Sequence, residues 1–161
     1  MGKGSKGFSL IELLIVVAII LIIAAIAIPN FLRSRAAANQ ASAVASLHTL
    51  DIAEATYSST YGGGYSVDMQ TLAPPPTAGA SPTSTAAGLI DSALASGTKS
   101  GYSFAYSPGA IDGTGRINNF NFTAVPVTSS TGTNYYFTDE SGVIRMNATI
   151  TASSTDSPVG G

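Results

Sequence analysis

The stretch KGFSLIELLIVVAII, Lys6 to Ile20, sets one carboxylate, Glu12, inside an apolar run long enough to cross a membrane. From Phe8 to Leu32 no other side chain is charged. At about 1.5 Å rise per residue this stretch would reach roughly 37 Å as a helix, against a bilayer core of about 30 Å. A secretory signal has a shorter apolar core, about 7–15 residues, followed by a small-x-small cleavage site. Here Ile28, Pro29, Asn30 and Phe31 follow instead, so the segment reads as retained. Lys3 and Lys6 precede it and Arg33 and Arg35 follow it, a tie that leaves the positive-inside rule undecided. The region beyond is nearly uncharged and would translocate easily, which favours an N-terminus in the cytoplasm.

Glu12 needs a reason. A carboxylate at the bilayer centre costs about 2.5–3.5 kcal/mol, and less near the end of a span. Either it sits at the membrane interface and is merely tolerated, or it has a partner. Phe8 and Glu12 are four residues apart and share a helix face. A cut between Gly7 and Phe8 would create an ammonium one turn from Glu12. That ammonium could pair with Glu12 of the same or a neighbouring chain. Helices packing against copies of themselves would then carry an ionic register mark in apolar surroundings.

The run KGFSLIELLIVVAIILIIAAIAIPNFLRSR resembles the N-terminus of type IV pilins and of the related pseudopilins of type II secretion. The resemblance covers roughly residues 3 to 35. It rests on Gly7 before an aromatic Phe8, on Glu12, on the unbroken apolar run and on Pro29. It implies a short basic leader, 1–7, removed by a prepilin peptidase after Gly7. Phe8 would become the mature N-terminus and be N-methylated by the same enzyme. Glu12 would neutralise the Phe8 amine of an adjacent subunit during assembly. Pro29 would kink the helix or help it melt within a filament, since proline removes one backbone donor and clashes one turn back. Many members carry a glycine where this chain has Leu21, so unwinding near 21–29 has less support here. The partners implied are copies of this chain, the peptidase, an inner-membrane assembly platform and, before assembly, the membrane itself. The location implied is the inner membrane for the precursor, then an extracellular pilus or a periplasmic pseudopilus.

Beyond Pro29 the helical pattern continues. Ala41, Val44, Leu47, Leu50, Ala53, Tyr57 and Tyr61 recur at spacings of three and four, an apolar stripe opposite Gln40, His48, Asp51 and Glu54. The alanine-rich run supports helix, and the glycines of TYGGGY end it. The spacing predicts a helix from Phe8 to Thr60. Its first half, 8–35, is apolar all round, for the membrane and the filament core. Its second half, 36–61, is amphipathic and needs a partner surface.

Residues 62–161 read as a globular head. LAPPPTAGASPTSTAAG, Leu72 to Gly88, is a surface loop by composition, and LIDSALAS can form a short helix. From Tyr102 the period changes to two. Tyr102, Phe104 and Tyr106 alternate with small residues, as do Phe120, Phe122 and Ala124. Tyr135–Thr138 and Val143–Met146 flank a turn at Asp139–Gly142. Four strands with short connections predict an antiparallel meander whose aromatic face packs on the helix stripe. The closing TASSTDSPVGG reads as a loose tail. The fold class is α+β: a long N-terminal helix on a small antiparallel sheet of about four strands, as the resemblance also implies.

Composition weighs against other chemistry. Cysteine is absent, there is one histidine, and seven basic against nine acidic side chains leave no electrostatic footprint for nucleic acid. No histidine pair or phosphate loop suggests a metal or a cofactor, and no catalytic residues stand out. DGTGR, Asp112 to Arg116, lacks the alternating acidic ligands of a calcium loop and reads as a turn. The expected function is that of a non-enzymatic subunit polymerising into a type IV pilus, acting in adhesion, twitching motility or DNA uptake. The alternative is a type II secretion pseudopilin.

Overall fold

A computed structural model describes residues 7–160. Met1 to Lys6, most of the expected leader with Lys3 and Lys6, lie outside the described residues, as does Gly161. The chain divides into two units, one ending at Arg35 and the other beginning at Ala36.

Helix α1 spans Leu10–Tyr61 and contains Pro29 without a break in its assignment. In the first unit its apolar side chains have nothing to pack on. Every large apolar residue from Phe8 to Leu32 is exposed. Among the described residues α1 is thus the one helix long and apolar enough to cross a membrane, with none of its most apolar stretch buried.

In the second unit the stretch of α1 from Ala36 onward buries Ala43, Ser46, Leu47, Leu50, Ala53 and Glu54. These positions repeat at three and four, one face of a helix. Ala41, placed on this stripe by its spacing, is exposed. Glu54, placed on the polar side by its chemistry, is fully buried. The reason is geometric: Glu54 lies seven residues after Leu47 and four after Leu50, so it shares their face.

The buried face meets a sheet of six strands in the order β1-β2-β3-β4-β5-β6, antiparallel throughout. β1 is Thr98–Lys99, β2 Tyr102–Pro108, β3 Phe120–Pro126, β4 Tyr135–Asp139, β5 Arg145–Asn147 and β6 Ser157–Pro158. The four strands expected from alternation are β2 to β5. The two additions have two residues each, too short to show a period. β6 also corrects the reading of the closing segment as a loose tail: Ser157 pairs with Met146, and Pro158 with Arg145.

Register follows from the pleat. Phe104 faces Ala124, and Ala124 faces Tyr136; Phe122 sits between Tyr106 and Thr138. Tyr102, Phe104, Phe120, Phe122, Tyr136 and Thr138 are buried on the helix side. Aromatic rings stack across this face, Tyr106 on Phe122 at 4.8 Å and Tyr65 edge-on to Phe120 at 4.6 Å. The segment between helix and sheet is less irregular than its composition suggests. A 3-10 turn at Met69–Leu72 and helix α2, Ser92–Ala95, deliver Met69, Leu72, Leu94 and Ala95 to the core. Asp68 and Asp91 cap them, accepting from Thr71 N and Leu94 N. The turn at Asp139–Gly142 forms as its residues require, with Gly142 at a φ of 69° and Asp139 accepting from Ser141 N. Gly64, at a φ of 86°, lies where any Cβ would run into the Ile117 carbonyl.

Candidate functional site

Gly7, Phe8, Glu12 and Pro29 all lie in the first unit. Gly7 and Phe8 are in open coil just ahead of the helix, and nothing lies within 4 Å of where a Gly7 side chain would begin. Phe8 is 79% exposed.

Glu12 sits in the first turn of α1 with a partner that spacing with Phe8 did not reveal. Its Oε2 accepts a hydrogen bond from Ser9 N at 2.9 Å. The Ser9 hydroxyl faces Ile11 N at 3.4 Å, and Leu13 N donates to the Ser9 carbonyl at 3.2 Å. This is a variant of the capping box, in which the glutamate three residues on reaches back to the serine amide while the serine hydroxyl faces the amide of Ile11 rather than that of Glu12. The carboxylate also lies at the positive end of the helix dipole. Ser9 is the residue that the sequence reading passed over. Its signal, S-x-x-E before an apolar run, stood in the sequence.

Pro29 occupies a helical position among exposed apolar neighbours, and its ring faces no tertiary packing. Arg33 and Arg35, which close the apolar run, are exposed.

The second unit holds two more carboxylates of interest, both on α1. Glu54 receives Ser66 N at 2.9 Å on one oxygen and the Ser66 hydroxyl at 2.6 Å on the other. Tyr106 donates to the Ser66 carbonyl at 2.6 Å and closes the cluster. Burial raises the Glu54 pKa above its ordinary value, partly offset by the Ser66 bonds. Asp51 accepts from the Thr138 hydroxyl at 2.9 Å through Oδ2, while its buried Oδ1 has no partner. Burial pushes Asp51 up to about 6. Asp51 borders a cleft of about 310 Å³ with His48, Ile52, Tyr65, Phe120 and the turn from Asp139 to Gly142.

The DGTGR stretch is a turn. Asp112 accepts from Thr114 N, the Thr114 hydroxyl, Arg116 N and Asn118 Nδ2, bonds that hold its carboxyl far below the usual range. Among the described residues no three histidine, cysteine or carboxylate side chains are grouped to hold a metal.

Residues 2–28 match the family described as the prokaryotic N-terminal methylation motif. The type IV major pilin protein PilA of Myxococcus xanthus is 51% identical over 53 residues, 33% of this chain and 24% of that protein. The type IV wide pilus major component PilA4 of Thermus thermophilus is 62% identical over 37 residues, 23% of this chain and 28% of that protein. The chain thus spans about a quarter of the length of the curated relatives it matches. No solved structure matches it. What the comparisons show is a methylation motif over residues 2–28 and a likeness, over a third of the chain or less, to two type IV major pilins.

Proposed function

We propose that this chain is a structural subunit that polymerises into a type IV pilus. The observation that carries the reading is the first unit: a helix apolar on every side, with no core of its own. Burying a large apolar side chain is worth about 1.5–3 kcal/mol, so leaving this helix in water costs on the order of tens of kcal/mol. Lipid covers it in the precursor, and copies of the same helix cover it in the filament. Both relatives are pilus components, which supports the pilus over a secretion pseudopilus. They also support a structural rather than a catalytic role.

The organisation proposed is a leader at 1–7, a membrane and filament-core segment at 8–35, an amphipathic helix at 36–61 and a head at 62–161. Prepilin peptidase hydrolyses the open Gly7–Phe8 bond, leaving a Gly7 carboxylate on the leader and an ammonium on Phe8, where N-methylation follows. The ammonium then lies one residue ahead of the Ser9 cap. Glu12 keeps Oε2 on Ser9 and offers Oε1, which has no partner among the described residues, to the Phe8 ammonium of a neighbour. Pro29 lacks the backbone donor a helix uses one turn back, which makes it the place for the helix to bend on packing. An inner-membrane assembly platform would move the subunit from membrane to fibre.

Mass spectrometry of filaments sheared from the cell surface tests this. The expected result is an abundant peptide beginning at methylated Phe8. A chain cleaved but confined to the membrane, and absent from sheared filaments, would overturn the surface-fibre reading.

A further inference from the structure

Asp51 and Glu54 enter the seam between α1 and the sheet with no lysine or arginine among the described residues acting on either. They lie three residues apart on one helix face. Glu54 has no exposed surface and is bonded only to neutral donors, the amide and hydroxyl of Ser66. Asp51 has one oxygen on the Thr138 hydroxyl and one buried oxygen on nothing. Protonation leaves that second oxygen of Asp51 uncharged, whereas a carboxylate keeps charge on an atom out of reach of solvent and of any donor.

The charges around Asp51 pull both ways, His48 favouring its carboxylate and Asp139 and Glu54 opposing it, so burial dominates. On α1 itself, His48 lies one turn before Asp51, exposed, and is the one basic group among the described residues acting on it. From β4 and the turn after it come Asp139 and Glu140, the first repelling Asp51 and the second lining the same cleft. β2 contributes Tyr106, and the segment after the helix contributes Tyr65, Ser66 and Asp68. β3 presents Phe120, which carries no charge. Among the described residues no lysine or arginine acts on either carboxylate.

We infer that this seam is a proton-operated latch: proton uptake by Asp51 and Glu54 on mild acidification tightens the sheet on its helix, and proton loss near neutrality loosens it. The direction follows from linkage. A carboxyl whose folded pKa is raised binds more protons folded than unfolded, so stability falls as pH rises between the two values. For Asp51 that window runs from 3.8 to about 6. Asp91, Asp112 and Asp156 are shifted the other way, and their contribution is lost only as pH falls below their ordinary value of 3.8. Above about pH 5 Asp51 therefore acts with little opposition from them, and raised Glu54 works in the same direction.

The test is thermal unfolding of the full chain in detergent micelles, read by near-ultraviolet circular dichroism of its tyrosines. Tm should be higher at pH 5 than at pH 7.5, by about 3 °C or more. The near-isosteric Asp51→Asn should raise Tm at pH 7.5 and flatten most of that slope; Glu54→Gln should remove the rest. A Tm that is flat or rises with pH in the wild-type chain overturns the latch, as does a full slope retained in Asp51→Asn. Hydrogen exchange in the wild-type chain reads the same seam without a variant. Amides of Leu47 to Tyr57 and of β4, corrected for intrinsic rates, should be better protected at pH 5 than at pH 7.5. Equal or weaker protection at pH 5 refutes the proposal.

Discussion

Glu12 has two kinds of work open to it, and one of them lies within its own chain. In the capping box it satisfies the Ser9 amide and sits at the positive end of the helix dipole. The Glu12 carboxylate is thus partly neutralised within its own chain. Capping and register can be separated, because Ser9 belongs to the first and not the second. Ser9→Ala removes the hydroxyl side of the cap at a cost of about 1 kcal/mol to the first turn. Filaments of that variant should still assemble. Glu12→Ala, as the sole subunit, should leave the head folded and the leader cleaved yet yield few or no filaments. Counting filaments by electron microscopy in both variants decides it. If Ser9→Ala abolishes assembly as fully as Glu12→Ala, capping rather than register is what assembly requires. This residue-scale detail was legible beforehand, since serine, glutamate and the apolar run stand at capping-box spacing.

At the scale of elements, the sequence speaks through periods and falls silent where they are short or mixed. Alternating aromatics marked β2 and β3 because each strand has seven residues and one face in the core. β1 and β6, at two residues each, hold their places by pairing with a neighbour already formed, which no local pattern records. The helix stripe was legible at Leu47, Leu50 and Ala53 and misleading at Glu54, where a polar residue occupies an inward position. What stabilises it there is Ser66, twelve residues on and past the end of the helix, a contact between segments rather than a feature of either. The stripe also has a measurable centre. Leu47 is fully buried among the core residues, so Leu47→Ala should cost about 2–5 kcal/mol through lost transfer energy and the cavity left behind. Ala41→Ser, one and a half turns earlier and exposed, should change stability by no more than about 0.5 kcal/mol. Denaturant unfolding of the two variants measures both. Similar losses would show that the buried face of the helix has been placed wrongly.

For the whole molecule, function and fold are written in different parts of the chain. The likeness to known proteins lies in the first unit, where the methylation motif covers residues 2–28, the stretch that holds Gly7, Phe8, Glu12 and most of the apolar run. The head was legible only as a pattern of strands, because turns and glycines fix its loops while its surface is small, polar and nearly uncharged. Stability is divided the same way. Every buried apolar side chain among the described residues lies between Ala43 and Ala152, all in the second unit. The first unit contributes length and apolar surface but no interior. A chain beginning at Ala36 should therefore keep the whole core and lose the surface that calls for lipid or copies of itself. It should be soluble without detergent, elute as a monomer in gel filtration and unfold in one cooperative transition. The full chain should need detergent, and should enter filaments that the shortened chain cannot join. If the shortened chain is unfolded or aggregated, the core is not self-sufficient and the first half of α1 must steady the second. A shortened chain that joins filaments would locate the polymerising surface in the head and remove the apolar helix from its proposed role.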